Sequence, residues 1–345
     1  MKLNSIKRAV ALVLCVPIIL TGCAKSAAVE NPSPVGSNSE TSAKTTETAE
    51  KTYKIGITQL LEHPSLDQAR EGFVDELEAL GINIEINYVN AQGDTNSTQI
   101  IAEKFVKDEV DMIYSIATLS TQASKQATEG TNIPVLFSSV TDPVYSQIVE
   151  SSEKIENVTG VTDKVEALEI LKLAKDLKEG AKVIGIIYNT GESNSEIQVE
   201  EVKSAAEELG MTVETVGITT ANDIPQAVNT LAKKIDVMYI ISDNVVASAI
   251  QLVANSCLEK NIITLSTIES QAADGILMGN GLNYYELGKQ AANMAKKILV
   301  DGVDIKEVYV EQPSGLKKIV NVKTMEALGL SKDNKAFDGA EFVEQ

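Results

Sequence analysis

Two stretches decide the fold: Tyr53-Lys54-Ile55-Gly56-Ile57-Thr58 and Lys182-Val183-Ile184-Gly185-Ile186-Ile187-Tyr188. Each opens the same series, and Ile184 stands 129 residues after Ile55. Both are short apolar runs that read as buried strands. After the first, a turn containing Pro64 leads to Leu66, Ala69, Phe73, Leu77 and Leu80, whose steps of three and four mark a helix face over residues 65–80. Val199, Val202, Ala206 and Leu209 repeat that face. Ser65 with Gln68, and Ser195 with Gln198, have the spacing of a capping box at a helix start, and Gly81 supplies a stop. Glu78-Ala79-Leu80-Gly81 is echoed by Glu207-Glu208-Leu209-Gly210, and Asp111-Met112-Ile113-Tyr114 by Asp236-Val237-Met238-Tyr239.

Strands at 84–89 and 111–117, with a helix near 96–107 between them, complete the first copy. Alternating strands and helices give parallel sheets covered on both faces. Two copies therefore predict an α/β protein of two similar doubly wound lobes. A helix at 284–299 and strand-like stretches at 305–310 and 319–322 follow both copies. A helix arriving so late should return to the first lobe, which predicts three crossings acting as a hinge. The expected lobes are residues 53–160 with 283–310, and 161–282 with 311–345.

The first fifty residues read as an address and a tether. Lys2, Lys7 and Arg8 precede an apolar run from Ala9 to Leu20, too short to span a membrane comfortably and suited to a secretory signal. Leu20-Thr21-Gly22-Cys23 looks like a bacterial lipobox, so residues 1–22 are expected to be a signal peptide and Cys23 the lipid-bearing first mature residue. Residues 24–52 hold ten Ser or Thr and no Leu, Ile or aromatic residue. Such a segment buries too little to order itself, so 23–52 reads as a lipidated, disordered tether.

Composition excludes several functions. Lys and Arg number 30 against 49 Asp and Glu, a net charge of −19 that repels phosphate backbones, so no nucleic-acid partner is expected. A single histidine, His63, rules out a His-clustered zinc site, and no metal or other cofactor is expected. Cys15 leaves with the signal and Cys23 takes the lipid. That leaves Cys257 without an internal disulfide partner, at helical spacing with Val246, Ile250 and Val253 and so read as core.

In open parallel α/β sheets, ligands sit at the carboxyl ends of strands beside helix N-termini. In the first copy those ends carry Thr58, Gln59 and Glu62; Thr118, Leu119 and Ser120; and Ser139, Thr141 and Asp142. In the second they carry Tyr188, Asn189, Glu192, Asn194 and Ser195; Asp243 and Asn244; and Ser266 and Glu269. Two rims so rich in short polar side chains suit a small zwitterion. Amides at the helix start near Ser195 would take its carboxylate. An acid would take its ammonium, with Asp142, Glu192 and Asp243 all open candidates. Tyr188 or Tyr145 would cover an apolar side chain. Each also has a plainer role: Ser195 and Asp243 as helix caps, Asp142 as a turn residue before Pro143, Tyr188 as core, and His63-Pro64 as a loop feature.

At these loops the chain resembles the ABC-transporter solute-binding lipoproteins of the tryptophan/tyrosine-binding type. The matching stretches include Glu62-His63-Pro64-Ser65-Leu66-Asp67, Asn90-Ala91-Gln92-Gly93-Asp94, Val140-Thr141-Asp142-Pro143-Val144 and Asn157-Val158-Thr159-Gly160-Val161. They continue with Tyr188-Asn189-Thr190-Gly191-Glu192-Ser193-Asn194-Ser195, Ser242-Asp243-Asn244 and Tyr284-Tyr285-Glu286-Leu287-Gly288. Departures are Ser242 where Thr is usual, Leu119 for Pro, and Asn283 for Asp. The resemblance implies a type I periplasmic-binding-protein fold whose lobes close on an amino acid, an aromatic one favoured. It also implies delivery to a membrane permease and its ATPase, by an extracytoplasmic, lipid-anchored protein expected to be a monomer. A sensor signalling to a membrane receptor is the alternative. A secreted hydrolase would have to use His63, and no Gly-x-Ser-x-Gly elbow accompanies it. A sugar ligand is disfavoured by the absence of Trp for stacking.

Overall fold

The computed structural model describes residues 51–344. The expected signal peptide, Cys23 and nearly all of the expected tether lie outside them.

The first lobe runs β1 (Tyr53–Gln59), α1 (Pro64–Ala79), β2 (Ile84–Asn90), α2 (Thr95–Lys107), β3 (Met112–Ile116), α3 (Thr118–Ala127), β4 (Val135–Val140) and β5 (Val158–Thr162). After α4 (Ala167–Leu177) the series resumes with β6 (Val183–Asn189), α5 (Ser193–Glu208), β7 (Thr212–Ile218), α6 (Ile224–Leu231) and β8 (Val237–Ile240). It continues through α7 (Asn244–Ser248), α8 (Ile250–Leu258), β9 (Ile263–Ile268) and β10 (Met278–Leu282). The chain ends with α9 (Tyr284–Leu299), β11 (Leu316–Asn321), α10 (Val322–Ala327) and β12 (Glu341–Val343).

The first sheet has the order β2-β1-β3-β4-β5, and the second has β7-β6-β8-β9-β10 extended by β11 and β12. Within each five-strand set every pairing is parallel, so the two copies share one topology; β11 joins β10 antiparallel. The repeated motifs have a packing reason. A Cβ at Gly56 would sit 2.6 Å from the Phe105 ring, and one at Gly185 would sit 2.5 Å from Ile235. Each Ile-Gly-Ile therefore admits a bulky side chain onto its strand. The echoed acids act alike: Asp111 accepts from the Lys54 amide and Asp236 from the Lys182 and Val183 amides, both at 2.8 Å or a little more. Each pins the start of its lobe's first strand.

The chain passes between lobes after Thr162, after Leu282 and beyond Glu311. Helix α4 packs in the second lobe's core beside Ile184 and Val202. Helix α9 lies against α1, where Leu287, Ala291 and Met294 join Ile55, Phe73 and Tyr114. Residues 305–310 are not a strand. Asp304 accepts from the Lys306 amide and closes a 3-10 turn at Ile305–Glu307, and the chain meets β5 through a bridge between Val161 and Glu311 and through the Thr159 hydroxyl, which donates to Val308 O at 2.7 Å. Cys257 is fully buried with Val246, Ile250 and Val253, and burial pushes its thiol up to about 12.

Candidate functional site

Both sheets turn the carboxyl ends of their strands toward each other. In the order 2-1-3-4-5 the chain reverses direction across the sheet between strands 1 and 3, which opens a crevice there. Two non-glycine residues at the crevice edge have left-handed backbone, Ala117 (φ 80°) after β3 and Ser139 (φ 60°) in β4. Such strain costs of order 1–3 kcal/mol each and tends to gather at functional sites. Around them Thr58 Oγ1, Thr118 Oγ1, Ser120 Oγ and Ser139 Oγ are buried without a hydrogen-bond partner among the described residues. Gln59 differs: its amide donates to Leu61 O and Asp67 while its oxygen accepts from Arg70, bracing the loop rather than serving the crevice. Glu62 is exposed, and Leu119 is half-buried against the first lobe's core.

Both expected capping boxes are corrected. Pro64, pre-set for a first helical position, starts α1 early, so His63 is the N-cap. Helix α5 begins at Ser193 with Glu192 as N-cap. Ser195 instead donates to Asp243 Oδ2 at 2.7 Å, and Gln198 bonds both the amide and the carbonyl of Ser242. The Ser-x-x-Gln pattern of the second copy thus braces the loop between β8 and α7.

Three candidate acids are committed within the protein. Asp142 Oδ1 accepts from the Val144 and Tyr145 amides, closing a turn that leaves Tyr145 half exposed rather than over the crevice. Asp243 accepts from the Asn189 amide, the Ser195 hydroxyl and the Val246 amide. Burial and the neighbouring Glu192 push Asp243 up to about 7. Glu192 accepts from Asn189 and Asn194 side chains and from both nitrogens of Asn244. Ser266 bonds Gln271 and the Ile268 amide, and Glu269 accepts from Asn283, the N-cap of α9. These two hold a lobe crossing and do not line the crevice. Tyr188 packs half-buried on the second lobe's core.

A small, narrow void remains between the rims. It gathers Ser139, Thr141, Asn194, Asp243 and Asn244, as the strand-end argument requires, with Ser242 beside them. It also brings in His63, Asp163 and Tyr284, with Leu66, Ala247 and Ile268 as apolar surface. Asp163 directly follows β5 and is buried. Its Oδ2 accepts from the Tyr284 hydroxyl at 2.7 Å and the Thr141 hydroxyl also interacts with the carboxylate, while Oδ1 meets no well-formed hydrogen bond among the described residues. Burial raises its pKa. Asp163 was findable, because 157–161 is apolar and β-branched enough to be a fifth strand whose end merited the same inspection. His63 reaches across to Asn244 Oδ1 at 3.3 Å, joining the two lobes, and burial pushes its imidazole down to about 4. Among the described residues no serine hydroxyl is hydrogen-bonded to His63. Among the described residues no cluster of His, Cys, Asp and Glu is placed to hold a metal ion. A larger open groove of about 580 Å³ beside α3 and residues 144–158 is lined by none of the unpartnered buried polar atoms, and for that reason the smaller void is the better candidate.

The contacts separate two of the acids experimentally. Asp142→Ala is expected to change ligand affinity less than about threefold, since its oxygens serve a surface turn. Asp243→Ala is expected to destabilise the fold by about 2–4 kcal/mol, by leaving two buried amides and a hydroxyl unpaired. Chemical denaturation beside a binding titration measures both, and a selective loss of affinity in Asp142→Ala would contradict the assignment.

Comparison with known proteins agrees with this architecture. The family model described as ABC transporter substrate binding protein matches residues 54–341. A tyrosine-binding protein of Clostridioides difficile is 38% identical over 319 residues, 91% of this chain and 89% of that protein. A Streptococcus pneumonia ABC domain in complex with L-Trp superposes with a TM-score of 0.80 at 30% identity, over 85% of this chain and 100% of that one. A ligand-free, open substrate binding protein with adhesive properties from Clostridium difficile gives 0.66 at 40% identity, over 85% and 99%.

Proposed function

We propose that this chain, which belongs to the ABC transporter substrate binding protein family, captures an aromatic L-amino acid between its lobes and delivers it to a membrane permease. The observation that carries the reading is the unpartnered Oδ1 of buried Asp163, set in the inter-lobe void beside the Tyr284 hydroxyl. A buried carboxylate oxygen without a donor costs free energy unless a ligand supplies one, and an ammonium is the strongest such donor. The unpartnered hydroxyl of Ser139, which lines the same void, offers a donor for the ligand's carboxylate. The ligands named for the relatives, tyrosine and L-Trp, support an aromatic side chain.

Lobe closure fits the same reading. The two TM-scores run against the two identities: the less identical L-Trp complex superposes better than the more identical open form. The His63–Asn244 contact across the lobes supports a closed arrangement. The lipobox ending at Cys23 supports a lipid anchor that would hold the body outside the cytoplasmic membrane.

A thermal-shift panel of the twenty amino acids tests the substrate. A ligand that binds only the native state adds about 2.7 kcal/mol at a hundredfold excess over Kd. Tyrosine or tryptophan should give the largest upward shift, and a flat panel would refute the amino-acid reading while leaving the fold untouched.

A further inference from the structure

The chain's only histidine has a bonding pattern that the capture of an amino acid does not by itself explain. Its Nε2 meets Asn244 Oδ1 at 3.3 Å, and its Nδ1 is buried with no partner among the described residues. Asn244 cannot turn its amide over freely, because Glu192 Oε2 accepts from both its side-chain and backbone nitrogens. With Nδ2 held by the carboxylate, Asn244 offers only lone pairs to His63, so Nε2 must carry the proton. Burial pushes the imidazole down to about 4, which keeps it neutral near pH 7. A neutral ring protonated at Nε2 leaves Nδ1 as an acceptor.

The surroundings say which part of a ligand meets that acceptor. His63 begins α1 and Asn244 begins α7, and the contact between them brings the two helix starts together. Leu66 and Ala247 stand three residues further on, on the same helix faces, and both line the void. The helix starts that meet at His63 thus also bring apolar surface to the void. Asp163, the partner assigned to the ammonium, comes instead from the end of β5, three strands away from β1 in the sheet.

We propose that His63 Nδ1 reads a hydrogen-bond donor at the far end of the ligand's aromatic side chain, a phenol O–H or an indole N–H. The Glu192–Asn244–His63 chain sets the tautomer that makes this possible. His63 is then a specificity residue of the amino-acid site, and the inference rests on that reading. A buried acceptor left unpaired is penalised, so a side chain of similar shape lacking the donor binds more weakly.

Isothermal titration with two ligand pairs tests this: L-tyrosine against L-phenylalanine, and L-tryptophan against 1-methyl-L-tryptophan. The wild-type chain should prefer the donor-bearing member of at least one pair by about thirtyfold, and the pair that discriminates identifies the donor as phenol or indole. In His63→Leu that preference should fall to about threefold or less, with phenylalanine affinity largely kept. His63→Asn, which returns an acceptor near the Nδ1 position, should recover most of the preference. Thermal melting of each variant checks that it is folded. Wild-type binding without discrimination, discrimination that survives in His63→Leu, or an equal loss for all four ligands would each overturn the proposal. The last result would place His63 on the ammonium or in a purely structural role. A wild-type chain that binds no amino acid would remove the parent reading and this inference together, whereas the other failures remove only the inference.

Discussion

Asp163→Asn is expected to weaken amino-acid binding by about a hundredfold or more while leaving the ligand-free protein at least as stable as wild type. The two halves of that result have one cause. Asp163 lies in the void with Oδ2 held by Tyr284 and Oδ1 without a partner, so the folded protein already carries the cost of a buried, half-satisfied carboxylate. Its pKa is raised, first of all by burial. For an acid, a folded pKa above the unfolded one means that ionisation opposes folding as pH rises through and beyond the unfolded value. A neutral amide removes that opposition at neutral pH. The ammonium of the ligand, however, loses a charge-assisted partner in a site shielded from water, a loss of about 2–5 kcal/mol. Titration calorimetry and thermal melting of the same preparation read both effects. Affinity within threefold of wild type would take Asp163 out of the site. A large fall in melting temperature would make it a structural residue.

Gly288→Ala is expected to cost the protein at least about 3 kcal/mol of stability. In an ordinary helix the same change stabilises by up to about 1 kcal/mol, so even the sign is diagnostic. Here α1 and α9 approach backbone to backbone. A Cβ on Gly288 would lie 2.0 Å from Ala69 O and 2.7 Å from Phe73 N. On the opposing helix, a Cβ on Gly72 would lie 2.0 Å from Tyr285 O. No side-chain rotation relieves contacts with backbone, so the helices must separate and part of the first lobe's core with them. Overpacking of a well-packed core costs typically 1–3 kcal/mol, and rigid backbone contacts belong at or above the top of that range. Denaturant unfolding of Gly288→Ala and Gly72→Ala measures the effect, and a loss below 1 kcal/mol in both would show that the two helices tolerate separation. Function should suffer as well, because α9 opens with Tyr284, the residue that orients Asp163.

Local pattern carried much of the architecture. The steps of three and four in α1 and α5, the apolar runs of β1 and β6, and the echoed Asp111 and Asp236 are each set by neighbours close in the chain or by burial of a whole strand. These features are written in residue type and spacing. The strand-end rule then selected Ser139, Thr141, Asn194, Asp243 and Asn244, which do share one void. The same rule also selects Ser266 and Glu269, which brace a crossing, and reaches Asp163 only if residues 158–162 are counted as a strand. Residues 305–310 failed for a local reason: an Asx turn at Asp304 outweighs an apolar alternation only six residues long.

Sequence alone was enough to determine that the chain folds as two copies of one α/β pattern, with polar strand ends in both, since periodicity and burial are properties of each segment. Which acid stands free and which is occupied was decided only in three dimensions. Asp142, Glu192 and Asp243 look as available as Asp163 when written in a line. The first is closed by amides two and three residues away, and Asp243 by amides and a hydroxyl up to 54 residues distant. A carboxylate's role depends on the donors that packing delivers to each of its oxygens, and those donors come from segments the linear pattern does not place beside it.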